Sequence, residues 1–419
     1  MRKSSITNAI WMMSEKLITL FGLFFVTSFV AKYIGPFRFG QLALAIAIFQ
    51  VVQVIAQLGC DNIIFKRVSQ NALSGLKLIY SSFAIRSTIY ILIAFIVLAF
   101  FYKDTDFINF IFLLSVCVAC FFTSMDVFTI YNDATLNSKF NTIANVFGLI
   151  IGLVLRYVIA FFELPIYLLS LPIVLTTMIP FIIRLYFTPK VSNIKVKYKK
   201  RYNKYLFATG VPLVISTISM TIYSRVNQFS LSYFSGSYEL GIYSVALTLG
   251  TAWVFIGNAL SISFLSKIYS EKDELLAKDK TSGLITSVFI ILLIFPCFFI
   301  LCGKYIIFIL YGSDYLPSYN ILVILCLSTI VTSLGFISNR YIVKLSGYNY
   351  LSKKTILILF FSIPISVAMV YYWGLYGAAY SVLIIELLSL TIMNYFFRKG
   401  IVLKMHLGAF NLRNVKKLK

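Results

Sequence analysis

Apolar runs of about 20 residues recur along the whole chain, and no other feature of the sequence restricts its fold as strongly. A helix of that length crosses the hydrocarbon core of a bilayer, where every backbone polar group must be satisfied within the spanning element. Only 12% of the 419 residues are charged, about half the share found in a soluble domain. The sequence therefore predicts an all-α polytopic membrane protein.

Charged and turn residues divide the apolar runs into twelve predicted spans. The first run continues to Ile34 without a small-residue cleavage pattern, so we interpret it as a span and not as a removed signal. The predicted spans cover residues 14–34, 40–60, 78–102, 107–130, 142–162, 164–188, 205–233, 240–266, 284–303, 318–344, 355–373 and 376–397.

The basic residues fix the orientation of these spans. With the N-terminus in the cytoplasm, 28 of the 37 Lys and Arg residues lie on the cytoplasmic side and 4 on the other, and the remaining five are arginines inside spans. Cytoplasmic loops are enriched in Lys and Arg, so both termini are predicted to face the cytoplasm. The same asymmetry and contact with anionic membrane lipids account for the net charge of +23 without a nucleic acid partner.

The chain is predicted to consist of two six-helix bundles around a central cavity. The turn "YIGPFRFGQLALA" at 33–45 is repeated as "YFSGSYELGIYSVA" at 233–246, and Gly40 and Gly241 are 201 residues apart. Duplicated bundles of this kind are typical of secondary transporters. The predicted division is an N-terminal bundle at 1–189, a basic cytoplasmic linker at 190–204, a C-terminal bundle at 205–397 and a basic cytoplasmic tail at 398–419.

Arginines inside the predicted spans are candidate binding groups, because a charge at the centre of a spanning helix costs about 2.5–3.5 kcal/mol. Arg86, Arg156, Arg225 and Arg340 are predicted to line the cavity and to bind an anionic cargo, since guanidinium binds phosphate through two hydrogen bonds. Arg184, near the cytoplasmic end of its span, is interpreted as snorkelling to a headgroup or pairing within the bundle. Snorkelling or pairing within the bundle is the alternative for each of the others.

Polar residues near Arg225 are predicted to line the same cavity, namely Tyr223, Asn227 and Gln228. Hydrogen bonding between helices is the alternative for each. Three acidic residues lie inside predicted spans. Glu15 is close enough to the inner interface to be solvated, whereas Asp126 and Glu386 are candidates for ion coupling.

Several chemical functions find no support in the sequence. Cys117 and Cys120 lie in a predicted span and are interpreted as buried thiols, and His406 is the one histidine, so no metal site is predicted. The sequence has no Walker-type loop and no nucleophile–base pattern, and the predicted external loops are short. We therefore predict no cofactor and no enzymatic activity.

Four stretches together resemble the Wzx-type O-antigen flippases. These proteins form the polysaccharide transporter family of the multidrug/oligosaccharidyl-lipid/polysaccharide exporter superfamily. The stretches are "YIGPFRFGQLALA", "GVPLVISTISMTIYSRVNQFSLSYFSGSYELGIYSVA", "ILYGSDYLPSYNILVIL" and "GLYGAAYSVLIIELL".

The resemblance implies a two-bundle fold like that of multidrug and toxin exporters, with a V-shaped cavity. It also implies transfer of an undecaprenyl-diphosphate-linked oligosaccharide from the cytoplasmic to the periplasmic leaflet of the bacterial inner membrane, alongside other polysaccharide assembly proteins. Family members often carry an acidic residue two positions after the equivalent of Arg225, where this chain has Asn227. Glu386 or Asp126 would then have to supply ion coupling.

Other functions stay open at this point. The main alternative is a drug or cation-coupled exporter of the same superfamily, although basic residues in the cavity disfavour an organic cation as cargo. A membrane glycosyltransferase or polymerase is disfavoured by the short external loops and by the absence of paired carboxylates.

Overall fold

The computed structural model describes residues 2–103, 105–187, 200–411 and 413–416. Within these ranges the regular structure is helical, and three short 3₁₀ turns join neighbouring helices. Residues 190–199 of the predicted basic linker lie outside the described residues. The helices are α1 (Arg2–Gln57), α2 (Cys60–Gln70), α3 (Ala72–Phe101), α4 (Phe107–Met125), α5 (Phe128–Ala134), α6 (Ser138–Phe161), α7 (Ser170–Phe187), α8 (Lys200–Phe234), α9 (Gly236–Thr251), α10 (Val254–Ser270), α11 (Glu274–Leu292), α12 (Ile294–Tyr311), α13 (Ser318–Lys344), α14 (Tyr348–Leu390), α15 (Ile392–Tyr395), α16 (Ile401–Ala409) and α17 (Arg413–Lys416).

Nine helical stretches in the described part of the chain are long and apolar enough to cross a membrane. Two of them are bent at a glycine whose backbone is not helical, Gly35 in α1 (φ 73°, ψ 167°) and Gly374 in α14 (φ 52°, ψ −125°). Each of these two stretches therefore holds two helical segments. α8 is a further long helix outside the nine stretches, and the count of twelve spans remains a prediction. The chain is an all-α, multi-pass membrane protein.

The repeated turn has the same backbone feature in both of its copies. Gly35 precedes Gly40 by five residues, and Gly236 precedes Gly241 by five. Gly35 has φ +73° and Gly236 has φ +86°, a region that residues with a Cβ atom rarely adopt. In both copies the glycine lets one helix end and the next begin within a tight turn. This local likeness supports the proposed duplication.

The chain divides into two compact units, an N-terminal unit Met1–Ile222 and a C-terminal unit Tyr223–Lys419. The division falls inside α8. The predicted bundle boundaries at 189 and 205 therefore remain a prediction.

Small residues let the helices of the N-terminal unit pack closely. A Cβ atom on Gly148 would lie 2.6 Å from the Pro180 side chain, and one on Gly152 would lie 2.1 Å from Cγ2 of Thr176, so α6 and α7 touch along these two glycines. Cys117 belongs to a buried apolar cluster of α1, α3 and α4, and its backbone oxygen accepts a hydrogen bond of 2.6 Å from the Tyr90 hydroxyl.

The centre of the C-terminal unit is α13, which packs against α9, α10, α11, α12 and α14. Thr329 of α13 donates to the backbone oxygen of Gly250 at 3.0 Å. The end of the chain packs against α11. Ser282 donates to the backbone oxygen of Met405 at 2.7 Å, and Thr286 donates to that of Ala409 at 2.5 Å. Residues 401–409 of the predicted tail therefore form a docked helix, α16.

Candidate functional site

Arg86 is engaged inside the N-terminal unit. Its side chain is 2% exposed, and Nη2 donates to Oδ1 of Asp61 in α2 at 2.6 Å. Nη1 donates to the backbone oxygen of Ser124 at 3.1 Å, and the buried Nε makes no hydrogen bond with any of the described residues. The sequence does not identify Asp61 as this partner, because Asp61 lies at the end of an apolar run, where a carboxylate can be solvated.

Arg184 and Asp126 form a second internal ion pair in the N-terminal unit. The Arg184 side chain is 2% exposed. It also hydrogen-bonds the side-chain oxygens of Asn141, at 3.1 Å, and Asn145 on α6. The guanidinium is therefore held among side-chain acceptors, which is pairing within the bundle and not contact with a headgroup. Asp126, a candidate for ion coupling, is also the anion that neutralises Arg184.

Arg156 is half-buried in α6, five residues before the helix ends at Phe161. At 1.5 Å per residue this is about 7.5 Å from the helix end. Within the described part of the chain, Arg156 makes no hydrogen bond and no ion pair. Its surroundings thus differ from those of Arg86 and Arg184, and its guanidinium keeps its full capacity to bind an anion.

Arg340 is exposed near the end of α13, four residues before Lys344. Its guanidinium carbon lies 4.8 Å from the centre of the Phe336 ring, a cation–π contact that orients the side chain and leaves its charge available. Its backbone oxygen accepts a hydrogen bond of 3.2 Å from Tyr269.

The polar residues of α8 meet α14 in the C-terminal unit. The Tyr223 hydroxyl donates to Oε1 of Glu386, and one turn later Oδ1 of Asn227 accepts a hydrogen bond of 2.8 Å from Ser381. Arg225 lies between them and donates through Nη1 to Oε1 of Gln228 at 3.0 Å. The structure thus brings together Tyr223, Asn227 and Glu386, three of the predicted site residues.

Lys354 lies just before the predicted span 355–373, in a predicted cytoplasmic loop, yet the structure buries it. It is 4% exposed, and its Nζ donates to Oδ1 of Asn394 at 2.8 Å and to Oδ1 of Asn339 at 3.0 Å. It also interacts electrostatically with the Glu386 carboxylate. The burial of Lys354 cannot be predicted from the sequence, because Lys353 precedes it and two successive lysines after a polar turn are typical of a solvated loop.

His406 of α16 packs close to Lys354. Its Nε2 is 2.9 Å from the Ser338 hydroxyl, and its Nδ1 is 3.2 Å from the Tyr395 hydroxyl. Burial, together with the positive charge of Lys354, lowers the pKa of His406 to about 4. The imidazole is therefore neutral at pH 7 and adds no charge beside Lys354.

The fold and these sites define a multi-pass membrane protein whose helices carry buried or half-buried cations. A family model described as "Polysaccharide biosynthesis protein" matches residues 5–260, and the chain belongs to this family. It is 26% identical over 260 residues to the capsular polysaccharide biosynthesis protein CapF of Staphylococcus aureus. That match covers 60% of this chain and 65% of CapF, so the chain spans less than two thirds of the length of this curated relative.

Two solved transporter structures share the fold over nearly the whole chain. The lipid II flippase MurJ, in an inward closed conformation, has a TM-score of 0.67 at 16% identity, with 97% of this chain and 91% of MurJ covered. An inward-facing multidrug resistance MATE family transporter of the MOP superfamily has a TM-score of 0.64 at 15% identity, with 98% and 99% covered. The expected likeness to multidrug and toxin exporters is therefore confirmed for the fold.

Proposed function

We propose that this protein is a flippase that moves an undecaprenyl-diphosphate-linked oligosaccharide, the repeat unit of a bacterial surface polysaccharide, across the inner membrane. The proposed direction is from the cytoplasmic to the periplasmic leaflet, with both termini in the cytoplasm. Membership of a polysaccharide biosynthesis family supports the class of cargo. A fold shared with a lipid II flippase supports translocation as the activity.

The observation that carries this proposal is that Arg156 has no ion pair among the described residues. Arg86 and Arg184 are neutralised by Asp61 and Asp126, whereas Arg156 is half-buried in a spanning helix without an ion pair among the described residues. An uncompensated guanidinium inside a membrane protein is unfavourable unless an anion or water reaches it. A diphosphate supplies that anion, and guanidinium binds it with two parallel hydrogen bonds.

Arg156, Arg225 and Arg340 occupy different depths along their own helices. In the predicted orientation Arg340 is near the cytoplasmic end of α13, Arg225 is nine residues before the external end of α8, and Arg156 is near the external end of α6. We propose that these arginines bind the diphosphate in the course of transport. Arg86, held by Asp61, then positions α2 against α3.

In the C-terminal unit Tyr223 donates a hydrogen bond to Glu386, Asn227 accepts one from Ser381, and Gln228 accepts one from Arg225. Each of the three side chains has further capacity for hydrogen bonds with sugar hydroxyls. Glu386 remains the stronger of the two candidates for ion coupling, because Asp126 is already engaged by Arg184.

The cargo is proposed to be an O-antigen repeat unit, on the four stretches that resemble O-antigen flippases. The capsular name of the CapF relative favours a capsular repeat unit as the second candidate. Deletion of the chain with complementation tests both. Loss of the lipopolysaccharide ladder with accumulation of lipid-linked repeat units supports the first, and loss of capsule with an intact ladder supports the second. Normal amounts of both polymers, with altered drug sensitivity, would instead make the chain a drug exporter.

A further inference from the structure

The last helices of the chain begin at one end of α13 and lie alongside it. In the predicted orientation this is the cytoplasmic end, where Nη2 of Arg398 donates to the backbone oxygen of Leu345 at 2.7 Å. Further along, Nε2 of His406 in α16 is 2.9 Å from the hydroxyl group of Ser338. Ser338 lies six residues before Lys344, the last residue of α13. At 1.5 Å per residue, His406 is therefore about 9 Å deeper than that end of α13.

The direction of α16 follows from its contacts with α11. Nζ of Lys344 donates to the backbone oxygen of Glu271 at 2.5 Å, so α11 begins beside the cytoplasmic end of α13 and runs from there into the membrane. The two hydrogen bonds that Ser282 and Thr286 of α11 donate to backbone oxygens of α16 advance by four residues on both helices. The two helices are therefore parallel, and α16 also runs into the membrane.

Phe410, directly after α16, lies at hydrocarbon depth. It is four residues beyond His406, which places it about 15 Å from the level of Lys344. The 27 residues of α13 are about 40 Å long, enough for a hydrocarbon core of about 30 Å and about 5 Å at each end. Phe410 is therefore well inside the cytoplasmic half of the core.

The chain reverses its direction after Phe410. Nδ2 of Asn414 donates to the backbone oxygen of Gly408 at 2.9 Å, and a Cβ atom on Gly283 of α11 would lie 2.3 Å from the backbone oxygen of Asn414. The segment that contains α17 thus returns beside α16. The backbone N–H groups of Phe410 and Asn414 donate to acceptors within this segment, as irregular backbone at membrane depth requires.

The outer face of α16 is apolar. Val402 and Met405 are buried against the C-terminal unit, whereas Leu403, Leu407 and Phe410 are exposed, Phe410 by 86%. With 3.6 residues per turn, the three exposed residues lie within about 60° of one another around the helix axis. They form one continuous apolar stripe.

Lipid acyl chains fit this stripe because of its depth and its surroundings. The exposed Ile290 of α11 continues the apolar surface beyond the tip of the hairpin. Lys404 is exposed on α16 but lies nearer the cytoplasm, where a long side chain can reach the headgroups. On its inner face α16 covers Ser282 and Thr286, two hydroxyl groups of α11 that would otherwise face lipid.

We propose that residues 401–411 and 413–416 belong to a re-entrant helical hairpin in the cytoplasmic half of the bilayer, which places Leu403, Leu407 and Phe410 against lipid acyl chains. The hairpin shields the polar beginning of α11 from lipid, and both of its ends stay on the same side of the membrane. Part of the predicted cytoplasmic tail at 398–419 is then a membrane element.

The test measures how fast a water-soluble reagent reaches position 410 of the full chain, in membrane vesicles opened by freezing and thawing. F410C is labelled with an impermeant maleimide, beside K272C in the exposed turn before α11 and I290C on the exposed face of α11. Mass spectrometry of each peptide separates the new cysteine from the six native ones. We expect F410C and I290C to react at least about tenfold more slowly than K272C, because hydrocarbon disfavours the reactive thiolate. All three should react fully after unfolding in detergent.

An F410C variant that reacts as fast as K272C would overturn the proposal, since α16 would then lie in water. A second measurement needs no variant. A phospholipid with a photoreactive group in the middle of an acyl chain should form crosslinks to residues 401–411 and to Ile290 of the wild-type protein. Crosslinks at Ile290 without any at 401–411 would overturn the proposal as well. Neither measurement contains the cargo, so both are independent of the outcome of the deletion experiment.

Discussion

Oδ1 of Asp61 accepts a hydrogen bond of 2.6 Å from Nη2 of Arg86, and the two side chains differ in exposure, 42% for the aspartate and 2% for the arginine. Because their exposure is unequal, removing one partner should change the free energy of unfolding more than removing the other. Removal of Asp61 leaves a buried guanidinium without an anion, whereas removal of Arg86 leaves a carboxylate that water can reach.

We therefore expect D61N to lower the free energy of unfolding by about 3 kcal/mol, and R86M to lower it by less. Thermal unfolding of the purified variants in one detergent measures this order, and the double variant D61N/R86M should resemble R86M. A larger loss in R86M than in D61N would contradict the assignment of Arg86 as a buried cation that depends on Asp61.

The contact between Arg184 and Asp126 leads to a prediction about D126N. The substitution leaves Arg184 with the neutral side chains of Asn141 and Asn145, so we expect a lower thermal midpoint, with polysaccharide export per folded molecule maintained. The double variant D126N/R184Q should recover part of the stability, because the uncompensated charge is gone. A stable D126N that exports nothing would instead support the ion-coupling role predicted for Asp126.

The low pKa of His406 leads us to expect that the docking of α16 depends on pH. Its pKa is about 4 in the folded protein against 6.5 for an ordinary histidine, so between these values the undocked residue binds a proton that the docked residue does not. Stability is therefore complete above pH 6.5 and falls as the pH falls towards 4, by at most about 3 kcal/mol. H406Q should flatten the profile of thermal midpoint against pH. An equal dependence in both proteins would show that another group is responsible.

The bend at Gly374 gives a prediction with a control on the neighbouring helix. Gly374 has φ +52° and ψ −125°, a conformation open to glycine alone, so G374A should destabilise the protein by about 1–3 kcal/mol. Gly335 is helical within α13, and a Cβ atom there would meet nothing within 4 Å. G335A should therefore leave stability unchanged or raise it by about 0.5–1 kcal/mol. Equal effects at both sites would contradict the bend.

The spans and the turns of this protein can be predicted from sequence because each depends on local properties. Apolar length fixes a membrane helix, and the spacing of Gly35 and Gly236 from the following glycines marks the two turns. The polar residues at 223–228 also stand out within their apolar run. The contact between Tyr223 and Glu386 follows once α8 and α14 are neighbours.

The partners of the charged residues could not be predicted, because they depend on which helices meet. Asp61 and Lys354 both lie at the ends of apolar runs, where sequence gives no distinction between a solvated and a buried charge. The docking of α16 cannot be predicted for a related reason. Its basic residues suggested a solvated tail, whereas Val402 and Met405 are buried in the C-terminal unit.

The proposed role of Arg156 predicts how its substitution affects transport, with R156K as the conservative variant and Lys103 as a control position. We expect R156A to reduce export of the surface polysaccharide by about tenfold to a hundredfold, the loss of one charged hydrogen-bonding group, and R156K to retain part of it as a point charge. Substitution of the exposed Lys103 should have no effect. Normal export in R156A, with a normal amount of protein in the membrane, would remove Arg156 from the binding site.

The proposed translocation of a lipid-linked oligosaccharide is tested by determining the leaflet in which that lipid resides. In spheroplasts of the deletion strain, an impermeant reagent that labels sugars should fail to reach the repeat units, which accumulate on the cytoplasmic side. Expression of the chain should make them accessible within minutes, and R156A should delay this. Repeat units that are fully accessible in the absence of the chain would show that this protein is not the flippase for them.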